Sequence, residues 1–197
     1  MPALPTLVLF AKYPVPGYAK TRLIPALGPE GAANVHRHLT ERTVATLLTS
    51  GAPVEIRFAG AEERAFRDWL GDTPALVVQA EGGLTERLVD AGRGSPHIFF
   101  GADTPDLTTG IVRAAIEALS SHDVVIGPAE DGGYYLIGMT TARPELMTDM
   151  AWSTPAVFPE TMRRCEAEGL SVARLPKLSD CDTPADLALW PDLAALG

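Results

Sequence analysis

Short apolar runs alternate with longer amphipathic segments along nearly the whole chain. Residues 6–11 form an almost continuous apolar run, the pattern of a strand covered on both faces. Pro29 opens a predicted helix reaching about residue 49, with Ala33, Leu39, Val44, Leu47 and Leu48 as its apolar stripe. Residues 54–59 alternate as a strand does, and 62–70 read as a helix stopped by Gly71. A third strand over 75–80 is followed by Gly82-Gly83 and a helix to about residue 91. A fourth strand over 97–101 precedes a helix over 108–119. Two further strands, 123–128 and 134–139, are joined by a turn. A helix over 155–168, a short strand over 171–175 and a final helix over 183–189 complete the pattern.

This alternation predicts an α/β fold of three layers, α/β/α, around a mostly parallel mixed sheet. The hairpin-like junction at Asp131 supplies one antiparallel strand. Sheets of this kind bind ligands beyond the carboxyl ends of their strands, so the loops after strands are where chemistry is expected.

The 197 residues contain no repeat, low-complexity tract or linker, so residues 1–197 are expected to form a single domain. At 46% apolar and 21% charged residues the composition is that of a folded globular protein. No apolar run approaches the length of a membrane span, and the start lacks the pattern of a signal peptide. Two cysteines, Cys165 and Cys181, make neither a disulfide framework nor a zinc spacing. The expectation is a cytoplasmic protein without a membrane partner. A formal charge of −9 argues against general nucleic-acid binding. Within that acidic balance there are only three lysines, and Lys12 and Lys20 share one short loop with Arg22. An acidic chain that gathers its scarce ammonium groups in one loop is expected to hold an anion there.

That loop, "FAKYPVPGYAKTRL", leaves the first strand with Pro14 and Pro16 to stiffen it and Gly17 to let backbone approach closely. Lys12, Lys20 and Arg22 are expected to converge on a polyphosphate, as point charges and a guanidinium fork. The Walker spacing is absent, and a solvated loop paired with neighbouring acids is the plainer alternative. "FFGADTPDL" places Asp103 just past a buried strand, well set as a carboxylate ligand for Mg²⁺ or Mn²⁺. Asp106 belongs equally well to the entry turn of the next helix. In "LSDCDTPADL", Asp182 is either a helix N-cap or, with Asp180, part of the metal site that Asp103 begins. In "GPAEDGGYYLIG", Asp131 and Tyr134 are acceptor-pocket candidates beside a turn that Asp-Gly and Gly-Gly would also explain. Gly82 and Gly83 either bare the backbone to a nucleobase or end a strand. His36, His38, His97 and His122 form no ligand spacing.

Together, "FAKYPVPGYAKTRL", "GADTPDL", "GPAEDGGYYLIG", "AWST" and "SDCDTPADL" resemble, in order, a bacterial family of glycosyltransferase-A-like proteins. That family is often named radical-SAM-associated or arsenosugar-biosynthesis glycosyltransferase, and is similar to molybdenum-cofactor and phospholactate guanylyltransferases. The resemblance runs from about residue 7 to 190 and implies a nucleotide-diphospho-sugar transferase (GT-A) fold. It implies phosphate binding by Lys12, Lys20 and Arg22 and metal binding by Asp103 with Asp180 or Asp182. Gly82 and Gly83 match the base-contacting stretch loosely. The chain departs from many sugar nucleotidyltransferases in lacking their Gly-rich loop, and it carries Asp-x-x-Asp where they carry Asp-x-Asp.

The expected function is a metal-dependent transferase that takes a nucleoside triphosphate or nucleotide-sugar and a small acceptor. Lys20 and Asp103 would carry catalysis by stabilising charge on the phosphates. Three cations favour nucleotidyl transfer, whereas the family name favours glycosyl transfer. A non-catalytic nucleotide-binding partner protein is the reading from another class.

Overall fold

The computed structural model describes residues 4–94 and 96–197. Strand β1 (Thr6–Lys12) shows how the apolar run is used. Leu7, Leu9 and Ala11 enter the core on one side of the sheet, and Val8 enters the core on the other. Around it stand β2 (Val54–Ala59), β3 (Ala75–Val78), β4 (His97–Phe100), β5 (Val124–Pro128), β6 (Tyr134–Met139) and β7 (Val172–Arg174). The seven strands lie in the order β3-β2-β1-β4-β6-β5-β7. β6 runs antiparallel to β4 and β5, and the other neighbouring pairs are parallel. The expected hairpin at Asp131 is the β5–β6 connection.

Helices cover both faces. Val44 and Leu47 of α1 (Ile24–Leu48), Phe66 of α2 (Glu63–Leu70) and Val112 and Ala115 of α4 (Thr109–Ala118) fill one core. Leu88 and Ala91 of α3 (Leu84–Ala91) and Cys165 of α5 (Val157–Ala167) fill the opposite one. The three-layer α/β/α architecture is thus the one the periodicity predicts. α1 starts before Pro29, yet Gly28 breaks it at φ 71°, so Pro29 does open a helical stretch. Among the described residues no helix is long and apolar enough to cross a membrane.

The final helix expected over 183–189 is not formed. A loop, a 3₁₀ turn (Asp186–Leu189) and the short α6 (Pro191–Ala194) stand there. The Asp186 carboxylate accepts from the backbone N–H groups of Asp182 and Thr183 and from the Thr183 hydroxyl, capping the entry to the 3₁₀ turn. The segment stops short because the residue before a proline is driven out of the helical region: Trp190, ahead of Pro191, stands at φ −132° and ψ 80°, which leaves room for only the 3₁₀ turn before it. This segment docks on α1 through a third core of Cys181, Leu187, Trp190 and Leu193 against Leu23, Val35 and Leu39.

Candidate active site

β1 and β4 are neighbours, but the chain leaves β1 toward β2 on one side and returns to β4 on the other. Their carboxyl ends therefore flank the crevice of a topological switch point. Leu23, fully buried, anchors the far end of the loop after β1, and Lys20 takes a left-handed conformation at φ 43° just before it. This turns the Lys20 side chain inward, where it is only 4% exposed. Its Nζ lies 2.5 Å from Asp103 Oδ1 and 2.7 Å from Asp182 Oδ1. The third proton goes to the Cys181 carbonyl oxygen, also at 2.7 Å. Burial acts to lower the Lys20 pKa, but the facing carboxylates of Asp103 and Asp182 outweigh it and hold the ammonium above its ordinary value. The Cys181 N–H donates to the Asp103 carbonyl at 2.8 Å, tying the two acidic loops together by backbone.

Asp180 does not join this group. It accepts from the buried Thr104 hydroxyl at 2.5 Å. Burial pushes its pKa up to about 6; the Thr104 bond opposes the rise, and the charges of Asp103, Asp131 and Asp182 reinforce it. Asp106 lies outside as well, accepting from the Trp190 indole N–H at 3.2 Å. The carboxylate of Asp182, which the sequence also allows as an N-cap, faces Lys20.

Two cavities meet at the Lys20–Asp103 ion pair. One, of about 310 Å³, is polar and lined by Lys20, Thr21, Arg22, Asp131, Ser153 and Asp182. The other, of about 360 Å³, includes Asp103, Lys12 and His36 among rings of Phe10, Tyr134 and Trp152. Ser153 is left-handed at φ 61°, so Lys20 and Ser153, both strained, face one cavity. Non-glycine residues are held in that conformation where surrounding structure imposes it, a frequent property of functional sites.

The structure separates several residues that the sequence reading groups. Lys12, Lys20 and Arg22 do not converge: Lys12 opens on the aromatic cavity, Arg22 on the polar one, and Lys20 is engaged by acids between them. The proline-stiffened loop splays its cations because Lys20 must turn in to meet Asp182. Asp131 and Tyr134 likewise line different cavities, because successive residues around the turn point apart. Gly17, at φ 82°, is exposed and borders neither cavity. Gly82 and Gly83 also border neither; the Gly83 N–H is taken by the Glu86 carboxylate at the start of α3. Sequence reasoning missed Ser153, although "AWST" contains it, and missed the Cys181 carbonyl, which no side-chain pattern announces.

For a divalent cation the donor chemistry fits: two carboxylates and a carbonyl, all oxygen, surround one point. That point is held by Lys20, and among the described residues no group of three His, Cys, Asp or Glu side chains is assembled around an ion position.

The chain is 29% identical to a protein from Desulfovibrio desulfuricans G20 described as a candidate nucleotide-diphospho-sugar transferase; the match spans 98% of this chain and 94% of that one, with a TM-score of 0.91. It shares its fold with Rv0371c of Mycobacterium tuberculosis H37Rv, solved with manganese (16% identity, 95% and 97% of the two chains, TM-score 0.55). It shares it also with 2-C-methyl-D-erythritol 4-phosphate cytidylyltransferase of Thermus thermophilus (17% identity, 98% and 99%, TM-score 0.56). No curated protein matches the chain in sequence. Two of these three neighbours carry transferase descriptions, one as a candidate nucleotide-diphospho-sugar transferase and one as a cytidylyltransferase. A family profile covers residues 43–154, more than half of the chain, and the protein belongs to that family, described as "Uncharacterized protein conserved in bacteria (DUF2064)".

Proposed function

We propose that the protein is a divalent-metal-dependent nucleotidyltransferase that takes a nucleoside triphosphate and a small acceptor at the carboxyl ends of β1 and β4. The observation that carries this reading is the buried Lys20 ammonium between Asp103 and Asp182, set where a polar and an aromatic cavity meet. Arg22 and Thr21 would bind the phosphates in the polar cavity, and the rings of Tyr134 and Trp152 would seat the acceptor across the ion pair. The acceptor's nucleophile would attack the α-phosphorus while the bond to pyrophosphate breaks and the pyrophosphate leaves with its electrons. Asp103 and Asp182, with the Cys181 carbonyl, would hold the metal. Bound there, Mg²⁺ or Mn²⁺ supplies charge neutralisation on the phosphate oxygens. One neighbour, a CMP:2-keto-3-deoxy-manno-octonic acid synthetase, is solved with CTP, which supports a triphosphate. Glycosyl transfer from a nucleotide-sugar is the second reading, favoured by the description of the 29% identical protein. The radical-SAM or arsenosugar context belongs with that second reading.

A thermal-shift panel of nucleoside triphosphates and nucleotide-sugars, with and without Mn²⁺, tests both. Stabilisation grows as RT ln(1 + [L]/Kd), so a triphosphate that raises Tm only with Mn²⁺ is expected. Asp103→Asn should abolish that metal-dependent gain and leave the Tm without ligand within a few degrees. A nucleotide-sugar that outperforms every triphosphate, with pyrophosphate inert as a competitor, would decide for glycosyl transfer. Binding unaffected by Asp103→Asn would decide against both.

A further inference from the structure

The position of Lys20 conflicts with the simplest version of its role. An ammonium that grips phosphate must have protons to give, and all three of these are engaged by Asp103, Asp182 and the Cys181 carbonyl. Its side chain is 4% exposed, whereas the two carboxylates are 45% and 43% exposed. The cation thus lies beneath, and the acids look outward into the crevice. The same three oxygens are the hard donors a divalent ion prefers. One point cannot hold an ammonium and a metal ion together, since the two cations repel at contact.

We infer that Lys20 is a resident, exchangeable counter-cation: without ligand its ammonium fills the three-oxygen nest, and it leaves the nest for nucleotide phosphate when a divalent cation enters. The inference rests on the metal and nucleotide reading above and adds the exchange to it. Lys20 is suited to the move. Its charge is a point on a flexible four-carbon stem with three rotatable donors, unlike a planar guanidinium. It already borders the polar cavity, where Arg22 and Thr21 stand ready beside the path of the freed ammonium. The nest cannot stay vacant, because two facing carboxylates without a cation disfavour each other's charge.

The chain has three lysines, which makes the exchange readable in the wild-type protein. Lys12 is exposed and the Lys177 side chain is 50% exposed, so both serve as internal references. Limited acetylation with mass spectrometry should modify Lys20 at least tenfold more slowly than Lys12 in EDTA. Mn²⁺ should speed Lys20 several-fold with Lys177 unchanged, and adding a mixture of the four nucleoside triphosphates should protect it again. In parallel, Lys20→Met should bind Mn²⁺ at least tenfold tighter than wild type without nucleotide, with a Tm depressed in EDTA and restored by Mn²⁺. A Lys20 whose labelling ignores Mn²⁺, or a Lys20→Met that binds Mn²⁺ no tighter, overturns the inference. Should Lys20→Met fail to fold, the labelling of wild type decides alone. If no triphosphate binds, the nucleotidyltransferase reading falls while Mn²⁺-driven exposure of Lys20 still stands. Triphosphate binding with a Lys20 indifferent to Mn²⁺ sinks the exchange only.

Discussion

His97 stands at the opposite end of β4 from the site, 2% exposed, with its ring edge-on to Phe99 and its Nδ1 without a hydrogen-bond partner. Burial holds its pKa below the ordinary 6.5; Glu55 opposes the shift and Arg57 adds to it. The folded protein therefore keeps His97 neutral where the unfolded chain would protonate it. The unfolded state binds more protons below that ordinary value, so stability is full above pH 6.5 and falls as the pH drops toward the folded pKa. Thermal melts in this range should show a steeper acid loss for wild type than for His97→Leu, and equal slopes would remove His97 as the cause. Legibility at this scale follows local context. Asp103 can be read because it follows a buried strand. The partnership of Lys20 with Asp182 cannot, since 162 residues separate them and only the closed fold brings them together.

At the scale of elements, the β5–β6 turn, residues 151–156 and the start of α5 act as one unit. Gly132 sits at φ 89°, and a Cβ there would lie 2.5 Å from Pro155 Cα and 2.6 Å from Pro155 O. Its carbonyl accepts from the Phe158 N–H at 2.9 Å, inside the first turn of α5. This packing delivers Asp131 and Ser153 to the same cavity. Gly132→Ala meets both a strained φ and fixed backbone, so it should destabilise by more than about 1 kcal/mol and weaken triphosphate binding. Gly17→Ala, at φ 82° but with open space around it, should lower Tm less. Equal Tm losses would mean that the contact with Pro155 contributes nothing. The glycine pair announces a turn, whereas its crowding against Pro155 is a property of two segments that only tertiary structure brings together. The missing last helix has a local cause instead, since Pro191 drives Trp190 out of the helical region and ends the turn early.

For the molecule as a whole, hydrophobic period carried most of the information. Strand and helix alternation settles the layers because every buried strand must be covered on both faces. The site is harder, being assembled from both ends of the chain. The family profile over residues 43–154 includes Asp103, Asp131 and Ser153, but Lys20 and Asp182 lie on either side of it. What completes the charge pattern is therefore the docking of the segment after β7 onto α1.

That docking gives the protein a chemical clock of its own. Cys181, whose backbone holds both Lys20 and Asp103, has a fully buried side chain, and burial pushes its thiol pKa up to about 11. With no exposed surface on that side chain, an alkylating reagent cannot reach the sulfur until the segment lifts from α1. Cys165, equally buried in the core on the other face, times the opening of α5 instead. Under native conditions iodoacetamide should modify Cys181 ahead of Cys165 if the terminal segment detaches alone. Identical rates would mean that the site comes apart only when the whole fold does, and either result is obtained without a single substitution in the chain.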